Sequence, residues 1–286
     1  MKKILSLVLA IMLCIFGAVS ATGCKNKNGE SGNKSSGSGD GDKPKFTVLT
    51  NCPFAPFEYT EKGKIYGIDM EIAAGFANEY GYKLVIKNID FDAIESQVSA
   101  GYGDIGMAGM SITPKRLASF DFSTEYYSAS QVVVVKASDT SFDSCTTKEE
   151  VDAVLKTKNK IGAQSGTTGF SYITGTLKLG QSSQKGYEDG VSAVTDMKNG
   201  NIDAVIIDKA PATALVANVS GLKMINVDLT EEAYAFLIKK GNTDLVAKMN
   251  AYLAKIKENG EFDKIVSKYN GGEGEKIGYD FTDENV

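Results

Sequence analysis

The alternation of apolar segments along the chain predicts an α/β protein with two lobes. Between Phe46 and Met107 short apolar strands alternate with segments of helical spacing, which is typical of a parallel sheet covered by helices. A second alternation follows the apolar run at 131–136. Apolar strands at 131–136 and 234–238 bracket this second half, and they favour one lobe inserted into the other. Each lobe is therefore expected to be a mixed, mostly parallel sheet flanked by helices.

The composition is globular and lacks the side chain most common in catalytic sites. Of the 286 residues, 42% are hydrophobic, and there is no histidine. That absence excludes Ser-His-Asp and Cys-His catalysis and any His-ligated metal site. The net charge of −5, without a basic cluster, argues against nucleic acid as a partner. We expect neither a metal nor a cofactor, and no enzyme.

Residues 1–23 have the pattern of an export signal. Lys2 and Lys3 form a charged start, and residues 4–19 form an apolar core too short for a comfortable membrane span. Small residues then precede Cys24, as in the lipobox of bacterial lipoproteins, which this segment resembles. We predict lipidation at Cys24, with plain signal cleavage or a simple anchor as alternatives. Residues 24–43, rich in Gly, Ser and Asn, then form a flexible linker.

Two cysteines remain after the linker, Cys52 and Cys145. A pair of cysteines in an exported protein can form a disulfide. These two fall in different predicted lobes, however, where a bridge would hinder relative motion. Free thiols are the preferred interpretation, and the disulfide remains the alternative.

The first half contains strands whose following loops are rich in polar and small residues. The predicted elements are strand 46–49, helix 68–80, strand 83–87, helix 94–100 and strand 104–107. Ligands of parallel sheets bind outside the carboxyl ends of the strands, where these loops gather. The loops at 51–54, 90–91 and 109–116 are therefore candidates for a binding site.

The second half has a similar plan but is not a sequence repeat. The predicted elements are helix 151–156, strand 160–163, helix 191–198, strands 202–207 and 234–238, helix 243–258 and helix 262–269. Strand 160–163 leads into a turn of small residues at 164–169 that begins another helix. This half has no counterpart of Arg116.

The run 104–127 contains the clearest candidate for an anion site. Thr113 followed by Pro114 predicts a helix start, because Thr can cap a helix and Pro suits its first position. Arg116 then lies in the first turn, beside backbone amides without partners inside the helix. Free amides, the helix dipole and a forked guanidinium favour a carboxylate. In isolation, a surface arginine on a helix would be the plainer interpretation.

Seven motifs follow one another along the chain. They are APFEY at 55–59, GIDMEIA at 67–73, FDAI at 91–94, GDIGMAGMSITPKR at 103–116, IGAQSGTTG at 161–169, IDAVIIDKAPA at 202–212 and KKGNTDLVAKMNAYLAKIKENGEFDKI at 239–265. Together they resemble the solute-binding proteins of amino-acid ABC importers, in the polar amino-acid group, over about residues 46–270. The resemblance implies a type II periplasmic-binding-protein fold. The implied parts are lobe 1 at 44–130 plus 237–272, hinge strands at 131–136 and 231–236, lobe 2 at 137–230, and a C-terminal tail at 273–286.

The resemblance also implies what the protein does. It implies a monomeric extracytoplasmic receptor, lipid-anchored to the bacterial cell membrane, that captures a free L-amino acid by Venus-flytrap closure of its lobes. The receptor would then deliver this amino acid to an ABC permease. Two other classes of function stay open. A dehydratase-like enzyme shares this fold, although the absence of histidine argues against it. A sensor or adhesion module usually carries a transmembrane helix and a signalling domain, and neither is visible after Cys24.

Carried over by position, the resemblance implies a set of ligand-binding residues. The carboxylate clamp falls on Arg116, Ser111 and the amide of Thr167. The ammonium partners are Asp208, the carbonyl of Gly109 and, again, Ser111. Residues expected to contact the rest of the ligand are the aromatic Phe54 and Phe91, the amides Asn51 and Gln164 that would set specificity, and Thr168.

The side-chain class of the ligand depends on the charges near these positions. Asn51 and Gln164 are neutral amides, and the pocket segments carry no unassigned Arg or Lys. We therefore expect a polar uncharged amino acid, glutamine or cystine ahead of arginine and histidine. Glu58 is the spare carboxylate nearby. Its APFEY context indicates a structural role rather than a ligand contact. A basic amino acid, which would need such a carboxylate, is therefore the alternative and not the first choice. Asp69 and Glu71 are expected to be structural as well.

Overall fold

The structure, a computed structural model, describes residues 43–284. The predicted signal peptide, Cys24 and linker residues 24–42 lie outside the described residues. The strands are β1 (Lys45–Thr50), β2 (Tyr59–Glu61), β3 (Lys64–Tyr66), β4 (Lys83–Asn88), β5 (Ile105–Gly106), β6 (Phe120–Phe122), β7 (Tyr127–Ala129), β8 (Gln131–Lys136), β9 (Ile161–Gln164), β10 (Gln184–Tyr187), β11 (Ala204–Asp208), β12 (Leu222–Ile225), β13 (Glu232–Tyr234), β14 (Leu237–Lys239) and β15 (Thr282–Asp283).

The α-helices alternate with these strands through both halves of the chain. They are α1 (Ile68–Glu79), α2 (Phe91–Ala100), α3 (Pro114–Ser119), α4 (Lys148–Leu155), α5 (Thr168–Ser171), α6 (Gly190–Lys198), α7 (Lys209–Asn218), α8 (Thr243–Glu258) and α9 (Glu261–Tyr269). A π-helical turn, Tyr172–Thr176, continues α5. No helix in the described range is long and apolar enough to cross a bilayer.

The strands form two main sheets, one for each half of the chain. The first has the order β15-β4-β1-β5-β14-β6, with β1 parallel to β4 and β5 and with β14 antiparallel to β5 and β6. The second has the order β10-β9-β11-β8-β12, with β8 antiparallel to its neighbours. Helices pack against both sheets. The predicted two-lobed α/β architecture is confirmed.

The predicted hinge strand at 131–136 lies instead inside the second sheet. β8 pairs with β11 on one side and β12 on the other. Val133 and Val135 contribute to one apolar cluster, whereas Val132 and Val134 contribute to another. A strand buried on both faces needs apolar side chains on both, which explains the unbroken run QVVVVK.

The chain passes between the two sheets through a separate pair of short strands. β7 and β13 pair antiparallel, with Tyr234 opposite Tyr127 and Glu232 opposite Ala129. The strand predicted at 234–238 is divided between β13 and β14. β13 lies within the predicted hinge segment 231–236, whereas its partner β7 precedes the predicted segment 131–136. The lobe boundaries themselves stay a prediction.

The C-terminal tail forms a strand that the sequence pattern did not predict. The C-terminal tail adds β15 to the edge of the first sheet, parallel to β4, and Tyr279 bridges to Ile65. A two-residue edge strand has no apolar run that a pattern could reveal.

Cys52 and Cys145 are free cysteines, as expected.

Helix α1 begins against the APFEY loop rather than on a side-chain cap. The amides of Ile68 and Asp69 donate to the carbonyls of Pro56 and Phe57, each at 3.1 Å. Gly67, just before the helix, has φ +142°, and a Cβ there would lie 1.8 Å from the Phe57 carbonyl oxygen. The absence of a side chain at 67 therefore lets the loop pack on the helix start.

We predict that Gly67→Ala destabilises the fold because its Cβ would displace this loop. The expected loss is about 3 kcal/mol of unfolding free energy, at the upper end for backbone strain. Gly63→Ala is the matched control, because Gly63 also has positive φ (+74°) but no described heavy atom within 4 Å of the added Cβ. That control should lose only about 1 kcal/mol. Urea unfolding followed by circular dichroism measures both, and equal losses would contradict the packing argument.

Candidate ligand-binding site

Loops from both sheets enclose one pocket. The free cavity within it is only about 10 Å³, roughly the space for one water molecule, so the pocket is almost filled by its own lining. Its lining comprises Asn51, Phe54, Glu58, Phe91, Ala108, Gly109, Ser111, Arg116, Gln164, Thr167, Thr168 and Asp208. The structure thus brings together every residue that the sequence assigned to the ligand. Glu58 and Ala108 are additions to that set.

The ends of the strands place these residues. Asn51 directly follows β1, and Phe91 begins α2 after β4. Gln164 and Asp208 are the last residues of β9 and β11 in the other sheet. Because β1, β4, β9 and β11 belong to parallel pairs, their carboxyl ends face the space between the sheets.

Arg116 is fixed by the helix start that the sequence predicted. Pro114 is the first residue of α3, and the Thr113 side chain accepts a hydrogen bond from the Arg116 amide at 3.1 Å. This confirms the predicted cap. Arg116 is 5% exposed, and it is the only arginine in the sequence. Its guanidinium also lies over the Phe91 ring, 5.6 Å from the centroid.

Three acceptors hold the Arg116 guanidinium. Nε donates to Glu95 Oε1 at 2.9 Å and Nη1 to the Ser111 carbonyl at 2.8 Å. Nη2 donates to the Gly166 carbonyl, from the second half of the chain, at 3.2 Å. A guanidinium has five N–H donors, so two remain without a described acceptor. Two N–H groups are what a bidentate contact with a carboxylate requires.

The two residues assigned to specificity contact each other across the pocket. Gln164 Nε2 donates to Asn51 Oδ1 at 2.6 Å and to the Glu188 carbonyl at 2.7 Å. Asn51 Nδ2 donates to the Ile89 carbonyl at 2.7 Å. These bonds engage half of the hydrogen-bonding capacity of the Asn51 side chain, one donor and one acceptor position. The pair therefore links the two halves as well as lining the pocket.

Asp208 is a buried carboxyl group with a phenol partner. It is 6% exposed, and the Tyr234 hydroxyl donates to its Oδ1 at 2.6 Å. Burial raises its pKa to about 6, against the opposing effect of hydrogen bonds from Tyr234 and Gln131. A cation placed beside Asp208 would favour its ionised form.

Glu58, for which the sequence indicated a structural role, lies in the pocket lining. The structure buries it completely in the pocket lining, and neither carboxyl oxygen has a hydrogen-bond partner among residues 43–284. Burial raises its pKa well above the usual value, and the charges of Asp69 and Asp208 raise it further. The loop folds back so that the Phe54 amide donates to the Glu58 carbonyl at 2.7 Å, a contact that the sequence pattern does not reveal.

Asp69 has a structural role that bears on the site. It is fully buried, and it accepts hydrogen bonds from the Gly109 amide at 3.1 Å and the Tyr126 hydroxyl at 2.7 Å. Gly109 has φ +52°, and a Cβ there would meet the Phe54 ring at 2.5 Å. Asp69 thus anchors a tight turn in the pocket wall. Glu71 likewise binds Lys268 and Tyr269 rather than the pocket.

Comparison with known proteins identifies the family. Residues 46–272 match the family described as bacterial extracellular solute-binding proteins, family 3. A probable histidine-binding protein of Neisseria gonorrhoeae is 31% identical over 80% of this chain and 84% of its own. The arginine-binding extracellular protein ArtP of Bacillus subtilis is 29% identical over 96% of this chain and all of its own. The solved structure of an ancestral arginine-binding protein bound to glutamine is 33% identical, with a TM-score of 0.72 over 80% of this chain and 99% of that one. The chain belongs to the bacterial extracellular solute-binding proteins of family 3, with their type II periplasmic-binding-protein fold.

Proposed function

We propose that the protein captures a free L-amino acid between its two sheets and presents it to an ABC permease. The observation that supports this most is a single buried pocket with Arg116 in one wall and Asp208 in another. A zwitterion removed from water needs partners for both of its charges, and charge-assisted hydrogen bonds supply them. The two remaining guanidinium N–H groups suit the carboxylate, and Asp208 suits the ammonium.

The remaining backbone and side-chain groups extend these two contacts. The amides at the start of α5, at Thr167 and Thr168, are proposed to join Arg116 at the ligand carboxylate. The Gly109 carbonyl and the Ser111 hydroxyl are proposed to join Asp208 at the ammonium. Because Arg116 and α5 belong to different halves, a bound carboxylate would hold the halves together, which is how a ligand selects a closed state.

The ligand side chain is proposed to be cationic, with arginine as the best candidate. A bound zwitterion would neutralise Arg116 and Asp208 but would leave Glu58 uncompensated. An isolated buried carboxylate is costly, whereas a guanidinium would supply N–H donors to both of its oxygens. The relatives include proteins named as arginine- and histidine-binding.

A polar uncharged amino acid such as glutamine is the second candidate. It is favoured by the neutral amides of Asn51 and Gln164 and by the relative whose solved structure contains glutamine. In that case Glu58 would stay protonated and would act as a hydrogen-bond donor. The two candidates therefore differ in the charge state of one residue.

The proposal has three further parts. The protein serves transport without catalysis, it is anchored to the membrane through Cys24, and it is a monomer. The absence of histidine removes the commonest general base, and the relatives described above are named as binding proteins. A lipid at Cys24 would keep the receptor beside the permease, with the linker as a tether.

We expect Arg116→Ala to weaken binding of the preferred amino acid by about 2–5 kcal/mol, because a buried carboxylate loses its charged partner. Arg116→Lys should also fail, since an ammonium cannot reproduce the guanidinium fork. Lys115→Ala, an exposed neighbour on α3, is the control and should bind normally. Isothermal titration calorimetry gives the affinities. An Arg116→Ala protein that is folded and binds within threefold of wild type would sink the clamp assignment.

Glu58→Gln tests the class of the ligand side chain. If Glu58 pairs with a cationic side chain, the substitution should weaken arginine binding at least tenfold, roughly the value of a hydrogen bond to a charged group. Glutamine binding should change by less than about threefold, because an amide replaces a protonated carboxyl of the same shape. Glu61→Gln, an exposed glutamate on β2, is the control. Thermal-shift and calorimetric titrations measure both ligands. Wild-type protein that prefers glutamine, with arginine unaffected by Glu58→Gln, would favour the second candidate.

A further inference from the structure

Glu232 contacts two residues of the proposed site without lining the pocket. It begins β13, at the passage between the two sheets, and is half-buried. Its Oε2 accepts hydrogen bonds from the hydroxyl of Ser111 and from that of Thr168, the latter at 2.8 Å. Its Oε1 accepts from the Thr230 hydroxyl at 2.7 Å. Ser111 belongs to the first half of the chain and Thr168 to the second, so one carboxylate joins both.

Local strand pairing explains why Glu232 reaches Ser111. The Ile112 amide donates to the Ala233 carbonyl, and the Ala235 amide donates to the Met110 carbonyl, each at 3.1 Å. Ser111 therefore lies beside β13, with its carbonyl held by Arg116 at 2.8 Å and its hydroxyl held by Glu232. Ser111 is 4% exposed and fixed at both its backbone and its side chain.

The direction of these hydrogen bonds follows from the chemistry of the partners. An ionised carboxylate only accepts, and a hydroxyl has one proton to donate. Thr168 Oγ1 accepts from Gln131 Nε2 at 3.0 Å, and Thr230 Oγ1 accepts from the Gln131 amide at 2.8 Å. Each therefore keeps its proton for Glu232. With its own proton also committed to Glu232, the Ser111 hydroxyl can offer the ligand only lone pairs, whereas the Ser111 backbone amide is still an N–H donor.

We propose that Glu232 is a positioning residue for ligand binding, which takes the Ser111 proton and so makes that hydroxyl an acceptor for the ligand ammonium. This inference rests on the proposed capture of an amino acid. It narrows the role of Ser111, which the sequence resemblance assigned to both ends of the ligand. The Ser111 hydroxyl then serves the ammonium, and the carboxylate depends on N–H donors, namely Arg116, the α5 amides and the backbone amide of Ser111.

Glu232→Gln tests this inference with ligands that differ in the ammonium alone. Calorimetry compares L-arginine with 5-guanidinopentanoate, and L-glutamine with 4-carbamoylbutanoate. The substitution should weaken the preferred amino acid roughly tenfold, as expected for a disturbed hydrogen bond to a charged group, and its deamino analogue less than about threefold. Glu231→Gln, the exposed neighbour, is the matched control and should change neither.

A double-mutant cycle separates positioning from a general loss of structure. If Glu232 acts through Ser111, adding Glu232→Gln to Ser111→Ala should weaken amino-acid binding by no more than about twofold further. Additive losses, equal losses for amino acid and analogue, or no loss at all would overturn the inference. Should Glu232→Gln not fold, Thr230→Val removes one support of Glu232, and the same ligand comparison on that variant decides. Wild-type protein that binds none of the common L-amino acids would instead overturn the proposed function, and this inference with it.

Discussion

Charge buried between two sheets is the constraint on which the rest of the site depends. Arg116, Glu58 and Asp208 are each at most 6% exposed, and moving such groups out of water costs several kcal/mol per ion unless partners compensate. Arg116 has Glu95 and two carbonyls, and Asp208 has Tyr234. The carboxyl oxygens of Glu58 have no hydrogen-bond partner in the described part of the chain. The pocket is therefore suited to a ligand that brings charges of both signs.

Several of the groups proposed to contact the ligand are each held in place by an acidic side chain. Glu95 pairs with Arg116, Asp69 holds the Gly109 amide, and Glu232 holds the Ser111 hydroxyl. Supporting contacts of this kind reduce the freedom that a binding group must lose when the ligand arrives. They also come from different elements, α2, α1 and β13, so the packing of the whole molecule fixes the pocket.

The sequence predicted those features that depend on local chemistry. Thr113 and Pro114 predicted the start of α3, and the small residues after 163 predicted the turn that precedes α5, because caps and turns follow from neighbouring residues. The run QVVVVK predicted a strand but not its place, since an apolar strand suits a central position as well as a crossing one. All residues assigned to the ligand do line one pocket.

Features set by contacts between distant residues could not be predicted. Glu58 was assigned a structural role because its pattern, APFEY, does not show that the loop folds against the start of α1. Glu232 gave no signal, since its partners lie 121 and 64 residues away in the chain. The strand β15 depends on pairing with the edge of β4 rather than on its own residues.

Proton release on binding tests the central claim, that Glu58 compensates a cationic ligand side chain. In the free protein, burial and the charges of Asp69 and Asp208 raise the pKa of Glu58, so it holds a proton at pH values where an exposed glutamate would not. A cationic side chain favours the ionised form, so binding expels that proton, and affinity rises with pH until the free carboxyl is itself ionised. Any amino acid can release a proton from Asp208, so the comparison is between arginine and glutamine.

The measurement is calorimetry at about pH 7 in buffers of different ionisation enthalpy. Our account predicts that arginine releases up to roughly one proton more than glutamine and that Glu58→Gln abolishes this difference. Equal proton release for the two amino acids in wild-type protein, across the pH range in which both bind, would contradict it.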